Sequence, residues 1–210
     1  MNLIEILREK QYNTDKYTAH YYVQELYEPE FAPYREKEIN FLEIGVLAGE
    51  SMKLWSDYFV NAKNVIGMDT FEREGFEEEK VRENLKDYDV ELWNMNSISG
   101  DQVRYAEFCE KYKKDGLDVV IDDGHHFYES QIKTFHRFAP LMNEGGLYII
   151  EDIGFHQEEC MKEFLSIDIE KKEELKYYKK PKLELEIPNI TFRKTGGQIF
   201  RNQPVGVVRF

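Results

Sequence analysis

Two pairs of acidic residues end two apolar segments of the chain, and their positions suggest metal chemistry. Asp122 and Asp123 end the run LDVVIDD, and Glu151 and Asp152 end the run GGLYIIED. Adjacent parallel strands lie roughly 4.8 Å apart, so neighbouring strands would bring these four carboxylates to one edge of a sheet. That much negative charge is costly unless a counter-ion offsets it. Oxygen ligands favour Mg²⁺ or Mn²⁺, and a nearby histidine would also admit Fe²⁺.

The segment Gly124-His125-His126 follows the first acid pair and supplies a candidate proton acceptor. His126 comes three residues after Asp123 and can face the same space. An unperturbed histidine has a pKa of roughly 6.5, close to the neutral pH at which a general base works. Two alternatives stay open: that the acid pairs are solvated strand ends, and that His125 is the base.

An earlier apolar run, LEIGVLAGES, has the pattern of a strand that enters a ligand-binding turn. Gly45 and Gly49 let the backbone approach a ligand closely, and Ser51 begins the next helix. Asp69 ends the second apolar run, where an acidic residue can bind both ribose hydroxyls. Glu43 adds negative charge beside the turn, which favours a cofactor with a cationic amino acid end, such as S-adenosylmethionine, over NAD. The alternative is an ordinary tight turn.

Strand-like and helix-like segments alternate along most of the chain and position these residues. Apolar runs predict strands over 41–46, 64–70, 90–95, 117–123 and 145–152, and the segments between them predict helices over 51–59, 77–87, 101–115 and 131–142. The short links indicate a Rossmann-like α/β fold with a doubly wound, mostly parallel sheet. A helix is predicted over 159–178, and the segments ITFRK and VGVVRF predict a C-terminal antiparallel hairpin.

The first 38 residues do not follow this alternation. Residues 1–10 predict an amphipathic helix, and residues 11–37 are rich in tyrosine and polar side chains and contain two prolines. We therefore predict an N-terminal helical lid over 1–38 and a cofactor-binding domain over 39–210.

The composition argues against several classes of partner. A formal net charge of −13 disfavours nucleic acid and anionic membrane surfaces, because both need clusters of lysine and arginine. No apolar run approaches the ~18 residues of a membrane-spanning helix, and the first residues are too polar for a signal peptide, so we expect a cytoplasmic protein. Cys109 and Cys160 lie in no zinc-like spacing and are interpreted as free thiols.

Five motifs, in order, resemble those of the class I S-adenosylmethionine-dependent methyltransferases. More closely, they are similar to the metal-dependent sugar O-methyltransferases of macrolide and polysaccharide pathways, a group that also contains cephalosporin hydroxylase-like proteins. The motifs are NTDKYTAHYY, FLEIGVLAGESMKLWSDYF, NVIGMDT, DVVIDDGHHFYESQIKTF and EGGLYIIEDI, and they cover about residues 11–155. The chain departs from the family in having Gly-His-His at 124–126 instead of Gly-Ser-His, and Asn-Met-Asn at 94–96 instead of Gly-Asp-Gln. The macrolide enzymes have a large additional N-terminal domain, so we expect the lid and oligomer contacts to differ.

The resemblance implies a role for each motif. Contacts to S-adenosylmethionine would come from Glu43, Gly45, Gly49, Ser51, Asp69, Asn96, Ser97 and Asp122. The divalent ion would be bound by Asp123, Glu151 and Asp152, with two sugar hydroxyls completing its shell. His126 would be the general base, next to Asp123. Part of the lid over cofactor and substrate would consist of Thr14, Asp15, Lys16, His20 and Tyr21.

These roles imply methyl transfer to a metal-bound sugar hydroxyl. We expect the sugar to be carried on a nucleotide. Candidate diphosphate contacts are Lys53, Arg137, Arg193 and Lys194, and surface solvation is the favoured alternative for each of them. The aromatic stretch 17–34 is a candidate surface for self-association. Three alternatives stay open: an O-methyltransferase for a catechol or another diol, a metal-dependent oxygenase, and a non-catalytic binding module. An oxygenase favours two histidines and one carboxylate, so the acid-rich set argues against it.

Overall fold

A computed structural model describes residues 1–18, 20–98, 102–154, 191–194 and 204–210, with the backbone alone at 191–194 and 204. Seven strands form one sheet in the order β3-β2-β1-β4-β5-β7-β6. The strands are β1 Asn40–Ile44, β2 Asn64–Asp69, β3 Glu91–Asn94, β4 Leu117–Asp122, β5 Met142–Ile150, β6 Thr191–Lys194 and β7 Pro204–Arg209. The first five strands pair in parallel, and β7 is antiparallel to β5 and β6. The predicted mostly parallel sheet with a C-terminal antiparallel hairpin is confirmed.

Helices connect the strands and also form the N-terminal segment. They are α1 Leu3–Lys10, α2 Asp15–Thr18, a π-helical turn Val23–Tyr27, α3 Glu28–Phe31, α4 Glu50–Tyr58, α5 Glu78–Asn84, α6 Gln102–Tyr112 and α7 Tyr128–Phe138, which continues into a 3₁₀ turn Ala139–Leu141. None of the helices in the described ranges is long and apolar enough to cross a bilayer. The predicted helix over 159–178 and Cys160 lie outside the described residues.

Two elements begin three residues before the starts that the sequence predicted. The last parallel strand, β5, begins at Met142 instead of residue 145, because Met142 pairs with Leu117 across an irregularity in the β4–β5 ladder. The helix α7 begins at Tyr128 instead of residue 131, since Phe127 is the extended residue that precedes it. Neither shift changes which residues end the strands.

The core lies on both faces of the sheet, as a doubly wound fold requires. Alternate side chains of β1 point to opposite faces, so Phe41 packs in one cluster and Leu42 in the other. The first cluster includes side chains from the N-terminal helices and α4, and the second includes side chains from α6 and α7. Helices therefore shield both faces and leave the ends of the strands as the place for a cleft.

Aromatic side chains join the N-terminal segment to the sheet. Phe31 is fully buried, and its ring centroid lies 5.4 Å from that of Trp55 and 5.3 Å from that of Phe59. Tyr27 packs edge-on against Trp55 at 5.2 Å. The first 38 residues thus share a hydrophobic core with the rest of the chain. Their division from residues 39–210 as a lid stays a prediction.

Removal of the Phe31 ring tests this shared core. We expect Phe31→Ala to lower the free energy of unfolding by about 3–5 kcal/mol, because the ring is fully buried among other aromatic rings. Val60→Ala, at a site 62% exposed, is the control and should change it by less than about 0.5 kcal/mol. Urea unfolding measures both values. A loss below about 1 kcal/mol for Phe31→Ala would show that the segment packs loosely.

Candidate active site

A cleft of about 560 Å³ lies at the carboxyl ends of the parallel strands, where open α/β sheets bind their ligands. A volume of this size suits a small molecule. The cleft is lined by segments that follow the strands and by part of the N-terminal segment. The predicted site residues that line it are Asp15, His20, Gly45, Asp69, Asn96, Ser97, Asp123, His126, Glu151 and Asp152.

The strands β4 and β5 are neighbours, as the two acid pairs suggested. Asp122 is the register partner of Ile150, and the Glu151 N–H donates to the Asp122 carbonyl at 2.9 Å. Asp123 and Asp152 therefore follow adjacent strands at the same edge of the sheet. Asp122 itself is buried, its Oδ2 accepts no hydrogen bond from the described residues, and burial raises its pKa to about 7.

One imidazole lies between two of these carboxylates. His126 Nε2 lies 3.1 Å from Asp123 Oδ1, and its Nδ1 lies 3.5 Å from Asp152 Oδ2. One ligand atom from each of the three residues lies within 4.8 Å of the others, so this group could hold a metal ion. The hydrogen bond to Asp123, together with the charges of both carboxylates, raises the pKa of His126 to about 9.

The adjacent histidine makes different contacts. His125 Nδ1 lies 2.8 Å from Ser130 Oγ, and its ring centroid lies 4.7 Å from that of Phe127. Of the two histidines that the sequence left open, His126 is the one in contact with the acidic residues. Its role as base stays a prediction.

A buried lysine from the N-terminal segment reaches the same carboxylates. Lys16 Nζ donates to Asp123 Oδ2 at 2.5 Å and to Glu151 Oε1 at 2.8 Å, and it lies 3.5 Å from Glu43 Oε1. Burial opposes the charge of Lys16, but the carboxylates outweigh it and raise its pKa well above the usual value. The ammonium group therefore offsets part of the negative charge that the sequence assigned to a metal ion.

Glu151 differs from the other two predicted metal ligands in its contacts. It is buried and accepts hydrogen bonds from Lys16 and from the Tyr27 hydroxyl. The three-residue group described above contains His126 with Asp123 and Asp152, and Glu151 lies beside it. The ligand set that includes Glu151 stays a prediction.

The turn after β1 needs glycine because two backbone segments meet there. Gly45 has φ +91°, and a Cβ at this position would lie 2.1 Å from the Asp123 carbonyl oxygen. Gly49, with φ +86°, precedes α4 as its N-cap. The close contact at Gly45 places the candidate cofactor turn directly against the end of β4.

Two predicted cofactor residues, Glu43 in β1 and Ser51 in α4, contact each other. Glu43 is fully buried, and its Oε2 accepts hydrogen bonds from Ser51 Oγ at 2.7 Å and from Trp55 Nε1 at 3.0 Å. Neither Glu43 nor Ser51 is among the lining residues of the cleft, and neither are Gly49 and Asp122. Burial, opposed by Lys16, raises the pKa of Glu43 to about 7.

Asp69 lines the cleft, but backbone groups already occupy its carboxylate. Its Oδ2 accepts from the N–H groups of Val46 at 2.8 Å and Leu47 at 3.1 Å, and its Oδ1 accepts from Phe71 N–H at 3.2 Å. Glu72, three residues later, is exposed and also lines the cleft. The spacing rule missed Glu72 because it selects the acid that ends the strand.

Backbone strain is concentrated around the cleft. Leu47, Phe71 and Asp152 have φ values of +49°, +54° and +52°, and all three line it. Non-glycine residues in this region cost about 1–3 kcal/mol each and cluster at functional sites. The strain is an independent sign that these turns are shaped for a ligand.

The segment after β3 borders the cleft, and side chains of α7 hold it in place. The Ser97 and Thr134 hydroxyls lie 3.1 Å apart, and Asn96 Oδ1 accepts from the Ile98 N–H at 2.9 Å. Arg137 donates to the carbonyls of Asn96 and Ser97 at 3.3 and 3.2 Å. Arg137 thus supports the predicted adenine border and is not among the lining residues of the cleft.

The predicted lid residues fall into two groups. Asp15 and His20 line the cleft, whereas Thr14, Lys16 and Tyr21 are not among its lining residues. Thr14 and Lys16 are nevertheless buried, and Tyr21 has φ +57°. The next residue, Tyr22, which the sequence did not single out, donates from its hydroxyl to Asp152 Oδ1 at 2.5 Å.

A family profile described as a methyltransferase domain matches residues 42–153, more than half of the chain. The chain belongs to this methyltransferase domain family. The matched range begins within β1 and ends just after β5, so it contains the cofactor turn, both acid pairs and His126. The family resemblance drawn from the motifs is confirmed.

Curated relatives of this methyltransferase domain modify sugars. Over 151 residues the chain is 29% identical to the 8-demethyl-8-α-L-rhamnosyl tetracenomycin-C 2′-O-methyltransferase of Streptomyces olivaceus, a match that covers 68% of the chain and 36% of the relative. Over 152 residues it is 28% identical to the mycinamicin VI 2″-O-methyltransferase of Micromonospora griseorubida, covering 68% and 34%. The chain thus matches about a third of the length of these relatives.

Solved structures show the same fold. MycE methyltransferase from the mycinamycin biosynthetic pathway, in complex with Mg, S-adenosylhomocysteine (SAH) and mycinamycin VI, superposes with a TM-score of 0.63 at 22% identity, covering 99% of this chain and 54% of MycE. CalS11, a TDP-rhamnose 3′-O-methyltransferase, superposes with a TM-score of 0.58 at 12% identity, covering 99% and 91%. The Rossmann-like fold predicted for this methyltransferase domain is confirmed.

A glycine substitution tests the contact between the two loops. We expect Gly45→Ala to destabilise the chain by well over the ~1 kcal/mol of an ordinary glycine substitution at positive φ, because the new Cβ would overlap the Asp123 carbonyl. Gly75→Ala is the matched control, since Gly75 also has φ +91° but nothing within 4 Å of its Cβ position. Thermal and urea unfolding measure both. Equal losses in the two variants would contradict the close contact.

Burial of Glu43 predicts a pH-dependent contribution to stability. Because its pKa is higher in the folded chain than in the unfolded chain, the folded state holds the proton more tightly. This stabilisation is present below about pH 4.5 and is lost as the pH rises through about 7. We expect Glu43→Gln, which cannot ionise, to gain roughly 2–3 kcal/mol relative to wild type between pH 5 and pH 8. Urea unfolding at pH 5 and pH 8 measures the free energy of unfolding of both proteins. Glu36→Gln, at an exposed site, is the control and should show no such pH-dependent gain. A constant difference would contradict it.

Proposed function

We propose that the chain transfers a methyl group from S-adenosylmethionine to a sugar hydroxyl with the help of a divalent cation. One observation carries the proposal: the Gly45 turn and the group of Asp123, His126 and Asp152 border the same cleft. Family membership supports methyl transfer, and the names of the relatives support a sugar acceptor.

The cleft fits a cofactor that carries positive charge. Carboxylates of Asp69, Glu72, Asp123 and Asp152 line it, so a sulfonium and an ammonium group would be attracted. When bound, S-adenosylmethionine supplies an electrophilic methyl group. The Gly45 turn would hold its methionine end, with the ribose against Asp69 and Glu72, and the adenine bordered by Asn96 and Ser97.

The acidic residues also fit a divalent cation. Oxygen donors from Asp123, Asp152 and Glu151 converge at the ends of β4 and β5 and suit Mg²⁺ better than the two-histidine set of an oxygenase. These residues would hold the ion, which would bind the acceptor hydroxyl and lower its pKa. Mn²⁺ and Fe²⁺ stay alternatives.

In the proposed reaction, His126 removes the proton from the acceptor hydroxyl. It borders the cleft, and its side chain is 43% exposed, so a substrate can reach it. His126 must be neutral to accept a proton, whereas the Asp123 and Asp152 carboxylates raise its pKa. A divalent cation bound to these carboxylates would offset their charge and favour the neutral imidazole. The rigid strand ends hold the base in place relative to the cofactor, and such alignment contributes strongly to two-substrate reactions.

A nucleotide carrier of the sugar would need basic side chains beside the cleft to bind its diphosphate. Lys53 donates to Glu50 and to Asn84 at 2.7 Å each, and Arg137 donates to backbone carbonyls. The side chains of Arg193 and Lys194 lie outside the described residues. Arg73 lines the cleft and is therefore the better candidate for a diphosphate contact. A nucleotide-linked acceptor, self-association and a cytoplasmic location stay predictions.

The two histidines provide a matched pair of variants. We expect His126→Ala to slow methyl transfer by about 10²–10⁴-fold and to leave SAH binding intact, because a lost general base affects the chemical step. His125→Ala should stay within a few-fold of wild type. Transfer of labelled methyl from S-adenosylmethionine to a panel of methyl glycosides and nucleotide sugars measures the rates.

Calorimetry with SAH and removal of metal complete the test. EDTA treatment should abolish transfer, and Mg²⁺ should restore it. A wild-type chain that binds no SAH would overturn the methyltransferase proposal. Full activity after EDTA would overturn the metal requirement alone. Transfer to a catechol but to no sugar would favour the non-sugar alternative.

A further inference from the structure

The N-terminal segment contacts all three predicted metal ligands. Lys16 Nζ donates to Asp123 Oδ2 and to Glu151 Oε1. Tyr27 donates to the same oxygen of Glu151. The Tyr22 hydroxyl donates to Asp152 Oδ1. Each of these hydrogen bonds reaches one oxygen of its carboxylate: Oδ2 of Asp123, Oε1 of Glu151 and Oδ1 of Asp152.

The opposite oxygens of two carboxylates point to the histidine. Asp123 Oδ1 lies 3.1 Å from His126 Nε2, and Asp152 Oδ2 lies 3.5 Å from His126 Nδ1. They differ from the oxygens that accept from Lys16 and Tyr22. The hydrogen bonds therefore fix the rotation of the Asp123 and Asp152 carboxylates and present the second oxygen of each to His126, which lines the cleft.

These donors are themselves firmly placed. Lys16, Tyr22 and Tyr27 are 2%, 1% and 0% exposed. The ring of Tyr22 stacks on His20 at 4.8 Å, and the ring of Tyr27 packs against Trp55 at 5.2 Å. Water cannot readily replace donors buried to this degree, so these hydrogen bonds hold the carboxylates in one orientation.

We propose that Lys16, Tyr22 and Tyr27 are positioning residues for the divalent-ion site and that the N-terminal segment builds this site as well as covering it. The inference rests on the proposed function, because it concerns the same ion. Groups that orient metal ligands typically change metal affinity by about 10–100-fold when they are removed. Asp152 needs such support most, since its backbone has φ +52°.

A consequence is that metal binding and docking of the segment strengthen each other. If docking orients the carboxylates for the ion, then the bound ion must favour docking by the same factor. Hydrogen exchange of backbone amides in residues 20–31 should therefore slow when Mg²⁺ is added to the EDTA-treated chain.

The test measures Mn²⁺ binding to the full chain by electron paramagnetic resonance. It compares wild type with the double variant Tyr22→Phe/Tyr27→Phe. The phenylalanines keep both rings and remove only the two hydroxyls. We expect Mn²⁺ binding to weaken by about 10–100-fold and SAH affinity to change less than twofold, since neither tyrosine lines the cleft. Tyr112→Phe is the matched control: Tyr112 is 2% exposed and donates to Glu91 at 2.8 Å, beside β3.

Each outcome has a distinct meaning. Equal Mn²⁺ affinity in the double variant and wild type would overturn the inference and leave the proposed function standing. A wild-type chain that binds SAH but no divalent ion would overturn the inference together with the metal requirement. If the double variant fails to fold, the exchange experiment on wild type decides: unchanged exchange in 20–31 on addition of Mg²⁺ overturns the inference.

Discussion

The structure depends on keeping three carboxylates close together where water is scarce. The side chains of Asp123, Glu151 and Asp152 are 20%, 2% and 13% exposed, so solvent screens their repulsion poorly. Neighbouring parallel strands force the arrangement, because Asp123 and Glu151 directly follow β4 and β5. The fold compensates with a buried ammonium group from Lys16 and with tyrosine hydroxyls. Acidic side chains still line the cleft at this edge of the sheet.

The aromatic core is what keeps those donors in place. Tyr27 is the clearest link, since its ring packs against Phe31 and Trp55 while its hydroxyl donates to Glu151. Trp55 in turn donates to Glu43, the buried acid that lies 3.5 Å from Lys16. Packing energy in the first cluster therefore maintains the electrostatic arrangement of the site. Loss of packing there should disturb the carboxylates even though neither Tyr27 nor Trp55 lines the cleft.

The sequence predicted the strands and the convergence of acids because both depend on local patterns. Apolar runs identify buried strands, and parallel order brings strand ends together. It could not predict that Lys16 pairs with Asp123 and Glu151, since these partners are 107 and 135 positions away and no local pattern reports such a contact. It also could not separate His125 from His126, because that choice depends on how the turn before α7 orients each ring.

Asp69 shows why a correct position does not fix a role. Its carboxylate accepts hydrogen bonds from the backbone N–H groups of Val46 and Leu47, in the loop after β1, and of Phe71, in the loop after β2. Leu47 and Phe71 both have positive φ, so these bonds offset strain in the two loops that form the wall of the cleft. Hydrogen bonds to a charged group contribute about 1.5–3 kcal/mol each, which is comparable to that strain. An acid is therefore needed at this strand end to shape the pocket, independently of the ribose contact proposed for it.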